Sequence, residues 1–306
     1  MKDRNDLSLL IDIDSAECVF SEVKNIIALI HADYDFCVLD HVFADVVRLY
    51  NGEYHGYRRC NTEYHNLRHT TDVLLTMARL LHGFFIEGHV LSSKMMDLGF
   101  LSALMHDTGY IQTEDDCEGT GSKYTKIHVE RSIQFMRNYF IKNNLPMDDY
   151  EKCSRIVAAT HQSKKLCDIP FESEEEILIG KLIYTAEFLG QMADRYYLEK
   201  LLFLYKEFAE GNVPGIKHEG DLLEKTIDFF EIIRQRLETE MGYKAVYMRH
   251  HFKSRWNIDC DLYTASIMKN ITYLKYVLEC CRQNYRDMLK RGDIVKNLGQ
   301  QVLMNA

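Results

Sequence analysis

The sequence predicts an all-α fold, and three observations carry that expectation. Apolar residues recur at the 3.6-residue spacing of amphipathic helices along most of the chain. Alternation with a period of two, the mark of a half-buried strand, is nowhere sustained. Helix breakers are scarce: the 306 residues include only three prolines, Pro146, Pro170 and Pro214, and 16 glycines.

The elements follow in order. Ile26, Ile27, Ile30 and His31 form one face of an early helix. Phe43, Val46, Val47 and Tyr50 form a second, ending near Gly52. Val73, Leu74, Met77, Leu80 and Leu81 continue the pattern after a histidine-rich segment. Leu98, Leu101, Ala103, Leu104 and Met105 run directly into His106. Ile133, Phe135 and Met136 follow His128, the run Ile156 to Thr160 precedes His161, and Ile183 to Leu189 surrounds Glu187. Ile227, Phe230, Ile233, Leu237 and Met241 make a late helix that Gly242 is placed to cap. Residues 53–61, 114–122 and 212–220 read as loops, and none has the composition of an interdomain linker. We therefore expect a single helical domain over residues 1–306. Residues 1–40 are its peripheral helices, the stretch from about 41 to about 210 its metal-binding core, and about 211 to 306 the helices that close the bundle.

Apolar residues make up 46% of the chain, enough for a sizeable core. The net charge of −9 argues against a nucleic-acid backbone as the main partner, because phosphate binding wants a basic surface. The nine cysteines are odd in number and form no CxxC pair, which suits reduced thiols in a cytoplasmic protein. No run of about 18 apolar residues occurs, so no membrane span is expected, and the amino-terminal segment does not read as a signal peptide. Nothing in the sequence fixes an oligomeric state.

The residues that carry chemistry cluster. In Tyr64-His65-Asn66-Leu67-Arg68-His69 the two histidines stand four apart, a spacing that puts both on one helix face. Standing alone, they would serve as well as surface or capping residues. In Leu104-Met105-His106-Asp107 an apolar helix delivers an adjacent imidazole and carboxylate. A buried charge is costly unless paired or bound to metal, and this donor pair suits a divalent ion. His128, His161 and Glu187 each accompany an apolar run. Each taken singly reads as a core histidine or a surface carboxylate; together with the first two clusters they suggest ligands.

The order His, His-Asp, His, His, carboxylate resembles the HD superfamily of metal-dependent phosphohydrolases. Tyr64-His65-Asn66, His69 and Asp72-Val73 resemble the signature of the catalytic domain of class I cyclic-nucleotide phosphodiesterases, and Ile156 to Lys164 is similar to a helix of that domain. The resemblance implies an all-α HD/phosphodiesterase-like bundle holding two divalent ions (Mn, Mg, Zn or Fe). His69, His106, Asp107, His128, His161 and Glu187 would be the ligands, with Asp107 bridging. His65 would be the general acid that protonates the leaving oxygen, and the substrate a small phosphorylated molecule such as a nucleotide.

Three positions depart from the phosphodiesterase pattern. Tyr110 stands where a further histidine is usual, His161 where aspartate is usual, and Glu187 where the metal-binding aspartate is usual, with Asp194 nearby as an alternative. Tyr64, Arg68 and Lys164 are candidates for substrate binding, with Lys123 and Lys126 as further phosphate-holding candidates. The same ligand set would also serve a di-iron oxygenase, and the departures leave open a non-catalytic binding module.

Overall fold

A computed structural model describes residues 7–296; the two ends of the expected domain lie outside the described residues. The helices are α1 (Ala16–Ile30), α2 (Cys37–Asn51), α3 (Leu67–Ile86), α4 (Ser93–Met105), α5 (His128–Lys142), α6 (Met147–Ala158), α7 (Glu174–Ala193), α8 (Tyr197–Glu210), α9 (Glu219–Thr239), α10 (Val246–Trp256), α11 (Leu262–Cys280) and α12 (Tyr285–Met288). Among the described residues no strand forms; one isolated antiparallel bridge joins Tyr57 and Thr113. No helix among them is long and apolar enough to cross a membrane.

Local chemistry sets many of the boundaries. Ser15, Ser92 and Ser173 cap α1, α4 and α7, each side-chain oxygen accepting a backbone N–H of the first turn. Glu174, Glu175 and Glu176 then complement the amino-terminal dipole of α7. Gly52 ends α2 in the left-handed region at φ 76°, as expected. The late helix stops at Thr239, just short of the expected Gly242, which turns the chain at φ 67°.

One continuous hydrophobic core runs from Val19 to Leu289. At its centre lies α3, whose side chains from His69 to Phe84 are all buried. Helices α1, α4, α7 and α10 surround it. A helix buried on every side cannot show a clean apolar stripe, which is why polar Thr70, Thr71, Thr76 and Arg79 lie inside α3. The expectation that residues 1–40 are peripheral needs correction: α1 packs Val19, Val23, Ile26 and Ile27 fully into the core against α3.

Candidate metal centre

Three buried side chains meet where α3 begins and α4 ends. His69 lies in the first turn of α3, His106 is the residue that ends α4, and Asp107 follows at φ −111°, ψ 8°. His69 Nε2 is 3.2 Å and His106 Nε2 3.3 Å from Asp107 Oδ2, and the two imidazole nitrogens are 3.4 Å apart. Donor atoms that share one ion at about 2.0–2.2 Å stand roughly 3–3.5 Å from one another. The triangle therefore fits a single divalent ion. Although Oδ2 is fully buried, neither imidazole is aligned to donate to it, and it has no hydrogen-bond partner. The three residues form a close group that could hold a metal ion.

The surrounding hydrogen bonds point the same way. His106 Nδ1 donates to Ala103 O at 2.8 Å, and His128 Nδ1 donates to Thr125 O at 2.7 Å. A proton fixed on Nδ1 leaves Nε2 free as a lone-pair donor, the usual state of a metal-binding histidine. His128 Nε2 lies 3.7 Å from Oδ1, the other oxygen of Asp107. Asp107 thus presents one oxygen to His69 and His106 and the second to His128.

Without an ion the charges compensate each other. Burial works against ionised Asp107, but the facing His106 and His69 outweigh it and hold its carboxyl well below the usual carboxylate range. Burial likewise opposes protonated His106, yet Asp107 pushes it up to about 9. Burial pushes His69 down to about 4. Binding an ion through His106 would displace its proton, so metal affinity at such a site would rise with pH.

His65 stands beside the cluster but not on the helix of His69, as the four-residue spacing had suggested. Asn66 caps α3, its Oδ1 accepting from His69 N at 3.2 Å, so His65 lies in the preceding bend. Glu207 of α8 secures that bend, accepting from Tyr64 N at 2.6 Å and pairing with His65 Nδ1 at 2.5 Å. Burial alone would lower the His65 pKa, but the Glu207 carboxylate outweighs it and raises the pKa above the ordinary value. Tyr110, where a further histidine would be usual, is sandwiched between imidazoles, 4.3 Å from the His65 ring and 4.6 Å from that of His128.

The remaining candidates separate. Glu187 on α7 is half-buried, with Oε2 itself buried and unpartnered; loss of hydration raises its pKa to about 7, opposed by His106 and reinforced by Asp107. It faces the centre without joining the close group of His69, His106 and Asp107. Asp194 is committed elsewhere, to Arg68 at 3.1 Å and to Lys200. His161 follows α6 in a turn, with Nδ1 accepting from Ser163 at 3.0 Å and Nε2 3.8 Å from Glu130, so it is not brought to Asp107. Arg68 is held instead by Asp14 at 2.6 Å and by Asp194. Lys164 pairs with exposed Glu130 at 3.4 Å, and Lys123 is tied to Asp116.

A cavity of about 600 Å³ opens beside the centre. Tyr64, His65, Tyr110, His128, His161 and Glu187 line its polar side. Leu201, Leu204 and Phe208 of α8 with Leu222 and Phe229 of α9 form an apolar wall, and Lys126 and Lys225 add positive charge. Tyr64 donates from its hydroxyl to Gln191 Oε1 at 2.9 Å. Sequence reasoning missed Glu207, Gln191 and Lys225. Glu207 is one of several carboxylates on an amphipathic helix, and no local spacing links it to His65.

The family model described as Npun_R2479-like matches residues 33–250, a span that contains the centre, Glu207 and the cavity wall. No curated protein and no solved structure matches the chain.

Proposed function

The chain belongs to the Npun_R2479-like family, and from the geometry of its buried centre we propose that it is a metal-dependent phosphohydrolase acting on a small phosphate ester. The convergence of His69, His106 and Asp107 at 3.2–3.4 Å beside the His65–Glu207 pair carries this reading. His69, His106 and Asp107 would hold one divalent ion, and His128 with the second oxygen of Asp107 the start of a neighbouring position. Such ions supply Lewis-acid charge for phosphoryl oxygens and acidify water.

The residues of the chain supply the rest. The attacking water oxygen bonds to phosphorus, the bond from phosphorus to the ester oxygen breaks, and His65 gives that oxygen a proton. Nδ1 of His65 is taken by Glu207, so Nε2 is the donating atom. Glu207 raises the His65 pKa and so favours the protonated ring, the state a general acid needs. The Tyr110 ring against His65 fixes its plane. Lys126 and Lys225 balance the charge of the bound ester, and the apolar wall holds its organic part.

The test is a metal analysis of purified protein together with a hydrolysis screen over cyclic nucleotides, cyclic dinucleotides and phosphomonoesters with Mn, Mg, Zn and Fe. Metal-dependent phosphate-ester cleavage that His106→Asn abolishes supports the reading. Iron-dependent oxygen consumption without ester cleavage, or a protein that takes up no metal, overturns it.

A further inference from the structure

A second cavity, of about 260 Å³, lies between α3, α7 and α11 and shares no lining residue with the first. Its wall includes Arg79, which is 2% exposed. Arg79 Nη1 donates to Tyr263 Oη at 2.9 Å, while Nε and Nη2 are buried with no partner. The rings of Phe252 and Tyr263 stand 5.5 and 5.7 Å from the guanidinium carbon. No described carboxylate forms an ion pair with it. A buried guanidinium with two unpartnered nitrogens is costly, because it has given up hydration and received little in return.

Two more arginines border the same space. Arg195 is exposed, and Arg291 is held in place by Arg195 O at 2.9 Å and Asn270 Oδ1 at 3.1 Å. Neither guanidinium is ion-paired with a described carboxylate, although the Arg291 backbone N–H donates to Glu199 Oε1 at 3.0 Å. Asp72 and Asp194 also line the cavity, but Asp194 is already taken by Arg68 and Lys200, and Asp72 lies 3.8 Å from Arg68. None of the three guanidinium groups is ion-paired with a described carboxylate, and Arg79, with Asp72 as the carboxylate whose charge it feels, keeps two buried nitrogens without a partner.

We propose that this second cavity is a binding site for a small phosphate oxyanion, held by Arg79 from within and by Arg195 and Arg291 at the rim. Guanidinium forks match phosphate oxygens in pairs. The volume falls below the roughly 300–1,000 Å³ of pockets for drug-sized ligands. The ligand is therefore inorganic phosphate or a short phosphomonoester, not a nucleotide. The site does not depend on the chemistry of the metal centre. It does lie on helices that carry that centre, since α3 holds both His69 and Arg79.

Thermal unfolding of the full chain in rising inorganic phosphate, and separately in glycerol phosphate, tests this. At a hundredfold excess over the dissociation constant the midpoint should rise by about 3–6 °C. His106→Asn, which disables the metal centre, should keep the shift. Arg79→Met should lose it, and Arg195→Gln should need several-fold more ligand. A stronger response to glycerol phosphate identifies a phosphomonoester as the ligand, and a response to inorganic phosphate alone identifies the free ion. The proposal is overturned if neither anion moves the midpoint, or if the shift survives in Arg79→Met and vanishes in His106→Asn. Should Arg79→Met fail to fold, an unchanged ligand requirement in Arg195→Gln overturns it equally.

Discussion

At the scale of single residues, the proposed chemistry turns on what each side chain is already bonded to. His65 is bonded to Glu207 and to none of the three converging ligands. His65→Ala should therefore retain its metal yet cleave esters with poor leaving groups roughly 10²–10⁴-fold more slowly. A nitrophenyl ester departs without a proton, so its hydrolysis should be largely spared; equal impairment on both substrates, or loss of metal, would make His65 a ligand or a structural residue. Glu207→Gln removes the carboxylate that raises the His65 pKa. The active form is the protonated one, so activity declines as pH rises through that pKa. In the variant this decline should move to lower pH, and an unshifted pH profile of kcat/KM would count against the pair. Glu187 and Asp194 divide in the same manner. Glu187→Gln should weaken metal binding, since its buried Oε2 has no other partner. Asp194→Asn should leave metal affinity nearly intact and instead destabilise the fold by about 3–5 kcal/mol, because it leaves Arg68 and Lys200 facing a neutral group. Isothermal titration with Mn and urea unfolding of both variants separate the two effects.

At the scale of elements, the site depends on close approaches between helix ends. Gly109 lies against the start of α5, where an added Cβ would come within 1.9 Å of His128 O and 2.8 Å of Ser132 N. Its own N–H donates to Ser132 Oγ at 2.9 Å, and its carbonyl accepts from Arg131 at 2.7 Å. Gly109→Ala must push α5 away and carry His128 with it. The expected result is a loss of about 1–3 kcal/mol of stability together with weakened metal binding; wild-type behaviour in both assays would show the interface to be pliable. Helices α3 and α10 meet through His82 and His251, whose Nδ1 atoms are 3.1 Å apart. Burial, reinforced by Arg79, pushes His251 down to about 2 from an ordinary 6.5. A histidine held neutral in the fold takes up its proton only on unfolding once the pH falls below 6.5. Its contribution is thus complete above pH 6.5 and is lost as pH drops, by roughly 1 kcal/mol between pH 6.5 and 5.5. Urea unfolding across that range should show this slope, and His251→Gln should flatten it.

At the scale of the whole molecule, the centre lies at the junction of helices that one continuous core already holds together. Metal removal should therefore lower the unfolding midpoint without melting the helices. Treatment with EDTA is expected to cost a few degrees, as for any ligand bound only by the native state, while the far-ultraviolet circular dichroism stays helical. Collapse of helicity on chelation would mean that the ion, rather than apolar burial, holds the bundle together.

The sequence by itself determined the all-helical class, because the 3.6-residue period and the shortage of breakers are local properties that no tertiary arrangement can hide. It also determined which imidazole and carboxylate groups stand at the ends of apolar helices, and His106 and Asp107 were legible on that ground, whereas His69 entered through its spacing from His65 and the family resemblance. The start of α3 was not, since Asn66 in its capping role competes with the helical reading of His65 and His69. Only the tertiary structure decided which ligand-type residues meet. His161 follows its helix in a turn beside Ser163, Asp194 is taken by Arg68 and Lys200, and Arg68 is paired with Asp14 and Asp194. The same holds for Glu207, more than 140 positions from His65 yet 2.5 Å from its ring, and for Arg79, whose unpartnered nitrogens appear only once α3 is enclosed. Spacing along a chain governs contacts within one helix, whereas partners between helices depend on how the helices pack.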